Sequence, residues 1–354
     1  MDAGKRSRIN FIFTIAITLV LMVFAVIYNS RVLYNASVTG IYEDGKDVVM
    51  ATATELENYL TVAETTLRVA ADTIELMEQN GASSQDILQY MTDQTNIQSA
   101  QFDENFTGIY AYINGEYMDG LGWEPPEGYD PVSRDWYQTA AEAGGEVVIV
   151  SPYLDAQTGS VVITVAKSIS GKEQPGDNPY SNIVCLDVIV NHIQEVAEEV
   201  NIAEKGYGMV VNNDGFIVAH SDREYNGKNI SDIYGEELLD GIIDTGTGSL
   251  NAVLDDTKCT LFVHPIMEQW YAAIIVSNSE LFENVYSQLA VNILVSLITF
   301  WLISLFYYLG YKNEQTYGKK VEEINMQVVS ALAQAIDAKD TYTNGHSSRV
   351  AKYS

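Results

Sequence analysis

Two uncharged apolar runs set the strongest limits on what this chain can fold into. The first, Ile9 to Tyr28 (INFIFTIAITLVLMVFAVIY), has 20 residues, and the second, Leu289 to Leu309 (LAVNILVSLITFWLISLFYYL), has 21. At about 1.5 Å per residue, a helix of either length crosses the roughly 30 Å of hydrocarbon in a bilayer. The alternative for the first run is a cleaved signal peptide, but that would have a shorter apolar core followed by a small-residue cleavage site. The alternative for the second is a buried core helix, and Trp301, Tyr307 and Tyr308 near its end fit an interfacial belt better. Lys5, Arg6 and Arg8 precede the first run, and Lys312, Lys319 and Lys320 follow the second. The positive-inside rule then predicts two transmembrane helices, 9–28 and 289–309, with both termini (1–8 and the segment from 313) cytoplasmic and residues 31–285 outside.

Charge narrows the function of the outer segment. It carries 42 acidic and 10 basic side chains, a net charge of −32 within a chain of net charge −29. A surface this acidic repels nucleic acid, so no nucleic-acid partner is expected. Cys185 and Cys259 both fall in the outer segment, where a disulfide is permitted. Each sits in an apolar, strand-like run, which favours two separate buried thiols.

Periodicity predicts an α+β segment. Apolar residues at three and four spacing (Leu60, Ala63, Leu67, Ala70) indicate a long helix over about 31–79, and Ser83-Ser84 caps a second over about 85–94. Next come FTGIYAYING, ending in a hairpin signal, and the β-branched runs EVVIVSPYLD, SVVITVAKSI and NIVCLDVIV. These make a first antiparallel module, about 80–190. A helix at 192–199 leads to a second module, about 200–280, built from YGMVVNNDGFIVAH, TGSLNAVLDDTKCTLFVHPI and WYAAIIVS. His220 and Asp222 there lack the further ligands that a metal site needs. They read as a turn and an edge histidine. Beyond the second apolar run, Val321, Ile324, Val328 and Leu332 step through a cytoplasmic helix, 313–337, as a short dimeric coiled coil or as a plain amphipathic helix.

One stretch carries candidate chemistry. GYDPVSRDWYQTA, residues 128–140, sets Arg134 among Tyr129, Trp136 and Tyr137. Arg134 and Trp136 are two apart, as are Tyr153 and Asp155, so in extended chain each pair shares a face. Asp187 lies inside the apolar run NIVCLDVIV, where a carboxylate costs several kcal/mol unless it meets a cation or donors. Two readings stand. In one, Arg134 forms a buried salt bridge with Asp155 or Asp187. In the other, a zwitterion fills the box, with its carboxylate on Arg134, its ammonium on Asp155 and Asp187, and aromatic rings as walls.

The long helix, two modules and flanking apolar runs resemble the double Cache sensors of bacterial receptors, over about residues 31–285. That resemblance implies two PAS-like modules, a homodimer and a location in the bacterial inner membrane. One subgroup of these sensors binds free amino acids, and its pattern is matched in type and order by Tyr129, Arg134, Trp136, Tyr137, Tyr153, Asp155 and Asp187. The resemblance implies that Arg134, Trp136 and Tyr153 hold the ligand's carboxylate. Tyr129, Asp155 and Asp187 would hold its amino group, with Tyr137 lining the pocket and side-chain selection falling to the 105–120 region. A related subgroup binds amines, for which a guanidinium has no use.

The tail, 338–354, resembles the opening of an HD-GYP domain, a family of metal-dependent cyclic di-GMP phosphodiesterases. Ala338, Lys339, Asp340, Tyr342, Thr343, Gly345, His346, Ser347, Arg349 and Val350 carry that resemblance. It implies His346 as a first metal ligand. Tyr342 stands where some members have a glutamate for a third metal, so two divalent metal ions are expected in a complete domain. The remaining ligands are absent from these 354 residues, so no cofactor and no catalytic residue is expected in this chain. The expectation is an amino-acid sensor joined to an incomplete phosphodiesterase output. The alternatives are a chemoreceptor, or a cyclase or kinase output on a sensor for an amine or other small ligand.

Overall fold

The computed structural model describes residues 3–101, 105–170, 181–202, 204–267 and 270–339. The chain divides into two units, one made of residues 1–38 with 284–354 and the other of residues 39–283.

In the first unit, the N-terminal part of helix α1 (Ala3–Gln79) runs antiparallel to helix α8 (Glu283–Lys339). Phe11 stacks on Tyr311 with ring centroids 4.9 Å apart. Ser7 donates to Glu314 at 2.8 Å and Asn292 to Ser30 at 3.3 Å, so the pairing keeps one register along its length. Each helix contains a stretch long and apolar enough to cross a membrane, and Phe13, Phe24, Trp301 and Phe306 are exposed on their surfaces. Each apolar run continues as helix into the helical segment that follows it in the sequence. Val321, Ile324, Val328 and Leu332 are exposed on α8. Only Ala338 and Lys339 of the tail words fall within the described residues, and His346 lies outside them.

The second unit is α+β. After α1 come α2 (Ser84–Gln101), β1 (Phe106–Ile113), β2 (Glu116–Asp119), α3 (Asp135–Glu142), β3 (Val147–Leu154), β4 (Val161–Ile169) and β5 (Asn182–Ile189). Then follow α4 (Asn191–Glu199), β6 (Tyr207–Asn212), β7 (Ile217–His220), α5 (Ile230–Tyr234), α6 (Glu236–Thr245), β8 (Gly248–Leu254), β9 (Thr257–Ile266), β10 (Trp270–Ser277) and the short α7 (Asn278–Leu281). The strands form two antiparallel five-stranded sheets, ordered β2-β1-β5-β4-β3 and β7-β6-β10-β9-β8, so the second repeats the topology of the first. Helix α2 runs longer than expected, to Gln101.

Helix α1 binds both sheets. Val49, Ala53, Leu56, Leu60, Ala63, Leu67, Ala70 and Ile74 recur at alternating four and three spacing, and all are buried. They form one core with Ile109, Ile163, Leu186 and Val188 of the first sheet and with Val210, Phe262, Ile274 and Val276 of the second. A stripe of this period keeps one helix face on the core over seven turns. The opposite face of each sheet builds a core of its own. Cys185 and Cys259 are separate, buried thiols, as the sequence favoured. His220 lies on edge strand β7 but is buried rather than exposed, and its Nδ1 accepts from the Asp222 N–H at 2.9 Å.

Gly45 marks the closest approach of α1 to the second sheet, because a Cβ there would overlap the Phe262 ring. Gly40, one turn earlier, has nothing within 4 Å of the same position. Gly45→Val should therefore lower stability by about 1–3 kcal/mol through overpacking. Gly40→Ala should raise it by up to about 1 kcal/mol through helix propensity. Thermal melts of the two variants check the contrast; equal shifts would contradict this packing.

Candidate ligand-binding site in the first module

The site is assembled on the face of the first sheet turned away from α1. Asp130 caps the turn Pro131–Ser133 by accepting from the Val132 N–H at 3.2 Å, and the chain is then extended at Arg134 (φ −82°, ψ 146°). The Arg134 carbonyl accepts from the N–H groups of Tyr137 and Gln138, at 3.0 and 3.1 Å, and so starts α3. Arg134 is thus the N-cap residue, while Trp136 and Tyr137 are buried in the helix. This corrects the expectation that Arg134 and Trp136 share a face of extended chain. They converge on Tyr129 instead, since the guanidinium lies 5.6 Å from the centre of that ring and the Trp136 indole is near enough to the Tyr129 hydroxyl to oppose the upward push of burial on it. The same guanidinium lies 6.0 Å from the Tyr153 ring.

Asp187 sits on the central strand β5 at 6% exposure. Its Oδ1 accepts from Thr164 Oγ1 at 2.5 Å, from Tyr110 Oη at 2.9 Å and from Tyr153 Oη at 3.5 Å. The Tyr153 and Thr164 hydroxyls are 2.7 Å apart. Gly108, opposite Asp187 on β1, has a φ of +152° beside an irregularity in the pairing, and a Cβ there would come within 2.9 Å of Leu121. Burial pushes the Asp187 carboxyl from an ordinary 3.8 up to about 7, with the Thr164 and Tyr110 hydrogen bonds pulling back and the Asp155 charge adding to the rise. Burial also pushes the hydroxyls of Tyr110, Tyr117 and Tyr153 upward, which keeps them as donors at neutral pH.

Arg134 has no ion pair or side-chain hydrogen bond among the described residues. The salt-bridge reading of Arg134 with Asp155 or Asp187 is therefore not what the structure contains. Asp155 is spent on its own turn, accepting from Thr158 N and Oγ1, both at 2.7 Å, and from Gln157 N at 3.2 Å. It reaches Asp187 only through space. The Tyr137 hydroxyl donates to the Ser181 carbonyl at 3.1 Å, and its ring meets Tyr112 edge-on.

Sequence reasoning pointed to the 105–120 region without naming Tyr110, Tyr117 or Asp119 in it, and missed Thr164 and Trp123. Thr164 lies inside an apolar run, as Asp187 does, but an uncharged strand residue there sends a weaker signal. Tyr117, Trp123 and Tyr129 form a triad of edge-on rings with centroids 5.3–5.8 Å apart. Buried Asp119 accepts from Tyr117 Oη at 3.3 Å and from Leu121 N at 2.7 Å.

The second module shows what this scaffold does without polar groups. Thr164 pairs with Asp187, and Tyr110 with Cys185. At the matching places, Leu261 pairs with Ile275 and Met209 with Ala273. Leu261, Ile275 and Met209 all lie in one closed apolar core. The fold therefore does not require the Asp187, Thr164 and Tyr110 cluster.

The Cache domain family (dCache_1) matches residues 34–285. The chain belongs to that family. A probable methyl-accepting chemotaxis protein of Bacillus thuringiensis subsp. konkukian is 31% identical over 170 residues, which are 48% of this chain and 24% of the relative. The chemotaxis protein McpB of Bacillus subtilis is 33% identical over 115 residues, 32% of this chain and 16% of the relative. This Cache chain thus spans a quarter or less of these relatives' length. Among solved structures, the ligand-binding domain of Pseudomonas fluorescens chemoreceptor CtaA with L-isoleucine superposes with a TM-score of 0.56 at 19% identity, covering 70% of this chain and 97% of that one. The ligand-binding domain of Mlp24 with asparagine gives 0.55 at 20% identity, covering 70% and 98%. These likenesses establish the fold.

The Asp187 carboxyl has a definite pH signature. A raised folded value means that the native state holds a proton which the unfolded chain releases, so its contribution to stability is present below about pH 4 and is lost as pH rises through 7. Asp187→Asn removes that loss. The variant should gain stability over wild type between pH 5 and pH 8, by up to roughly 4 kcal/mol at the upper end. Ligand-free denaturation at the two pH values measures it, and an unchanged difference would place the carboxyl in an ordinary environment.

Proposed function

We propose that this Cache chain is the sensing part of a bacterial membrane receptor for a free α-amino acid. The observation that carries the reading is the pair of unmatched charges in one box. Among the described residues, an arginine without an anion and a buried carboxylate without a cation face the same aromatic walls. A zwitterion satisfies both. Its carboxylate takes the Arg134 guanidinium, where a bidentate pair is strong. Its ammonium takes Asp187 at Oδ2, which the three hydroxyls leave open, with Asp155 adding negative charge. Trp136 and Tyr153 enclose the carboxylate end, Tyr129, expected at the amino group, packs against Arg134 and so falls at the carboxylate end as well, and Tyr137 supports the wall. Ligand-binding domains of similar fold solved with L-isoleucine, asparagine and L-Arg support this assignment. The receptor acts as a homodimer in the inner membrane, with both termini cytoplasmic.

For the output, the relatives named methyl-accepting chemotaxis proteins favour a chemoreceptor. The Ala338–Val350 words favour the second reading, a two-metal cyclic di-GMP phosphodiesterase with His346 as a ligand. Metal-dependent hydrolysis of cyclic di-GMP by the product of the full gene separates the two.

The full chain in nanodiscs, screened by thermal shift against the twenty amino acids and several polyamines, tests the sensor. A ligand at 100 times its Kd should add about 2.7 kcal/mol of stability. Arg134→Ala and Asp187→Asn should each remain folded and weaken binding by roughly 30-fold or more, the usual result of stripping one partner from a buried charge pair. If no amino acid stabilises the protein and Arg134→Ala unfolds it, Arg134 is a structural strut and the reading fails.

A further inference from the structure

We infer that the first-module site selects amino acids by side-chain charge, accepting uncharged or cationic side chains and rejecting the dicarboxylic amino acids. The inference rests on the amino-acid reading and adds to it the class of ligand.

Three observations carry it. The first is the supply of cations. Across the described residues of the first module, 105–170 and 181–190, only Arg134 and Lys167 are basic, against ten acidic side chains. Lys167 is held by Asp72 of α1, on the opposite face of the sheet. Among the described residues of the module Arg134 is the one cation presented to the site, and a ligand's α-carboxylate consumes it. A second carboxylate would enter without a partner. Desolvation then costs far more for a charge than for the isosteric amide, which needs only hydrogen bonds.

The second observation is the chemistry of the remaining wall. Tyr117 joins the two ends of the box. Its ring packs 6.0 Å from that of Tyr110, which donates to Asp187, and 5.8 Å from that of Tyr129, which lies under Arg134. Trp123 closes the triad against both Tyr117 and Tyr129. Aromatic faces carry negative potential; they attract cations and favour apolar groups, and they repel a carboxylate. Behind Tyr117 sits Asp119, at 7% exposure, with Oδ1 on the Leu121 and Trp123 N–H groups and Oδ2 on the Tyr117 hydroxyl. Its charge further disfavours an anion in this compartment.

The third is the field of the segment. With a net charge of −32 over residues 31–285, a dicarboxylic amino acid, a net anion at neutral pH, approaches against repulsion, whereas a neutral zwitterion or a cation does not.

Isosteric pairs isolate the charge. Calorimetry on the full chain in nanodiscs at pH 7.5 would compare L-asparagine with L-aspartate and L-glutamine with L-glutamate, within a titration of all twenty amino acids. The expected result is that the tightest ligands are uncharged or cationic. Aspartate and glutamate should bind at least 30-fold more weakly than the tightest ligand, and more weakly than their own amides wherever an amide binds. Tyr117→Lys, which places a cation in the aromatic compartment, should narrow that gap at least tenfold. Aspartate or glutamate binding within tenfold of the best ligand would overturn the charge rule and leave the amino-acid reading standing. No heat with any of the twenty would overturn both.

Discussion

The second unit depends on one stripe of apolar side chains on α1. Val49 to Ile74 bury against two sheets at once, and both sheets use the same face to meet them. The central strands β1, β5 and β4, and their repeats β6, β10 and β9, supply most of the apolar faces that meet the helix. One face of each sheet is packed on α1, and the candidate site lies on the other face of the first sheet.

The two modules then differ in one respect that matters. At equivalent places the first has Asp187, Thr164 and Tyr110, and the second has Ile275, Leu261 and Met209. Buried hydroxyls around a buried carboxylate are costly to assemble, because each must be desolvated and the carboxylate has no cation of its own. The second module shows the cheaper solution on the same topology. A polar cluster kept where an apolar one suffices is the contrast on which the proposed binding site rests.

Much of this could be read in advance, and for identifiable reasons. Strands with β-branched runs and Asn-Gly or Asp-Gly turns announce themselves, as does an aspartate inside NIVCLDVIV. The start of α3 could not be read in the same way. Arg134 and Trp136 look alternate in extended chain, but the Asp130 cap and the Pro131 turn deliver the chain into a helix at Asp135, so the two side chains meet through Tyr129. The burial of His220 was hidden for a similar reason. Its strand is at the sheet edge, and only the packing of Tyr207 and Tyr225 around its ring removes it from solvent. Thr164 and Tyr110 were missed because threonine and tyrosine are ordinary strand residues, and only the register that sets them beside Asp187 reveals their role.

The same architecture states what a ligand must do to be sensed. Strands β4 and β5 hold Thr164 and Asp187 on one face, while their alternate residues Ile163, Val165, Leu186 and Val188 pack in the core shared with α1. On the amino-acid reading, a ligand that drew Asp187 toward its ammonium and Arg134 toward its carboxylate would pull α3 and the central strands toward each other. Alternate residues of one strand cannot move independently, so the α1 stripe would feel that closure. The ligand would bias the receptor only to the extent that it bound the closed arrangement more tightly than the open one.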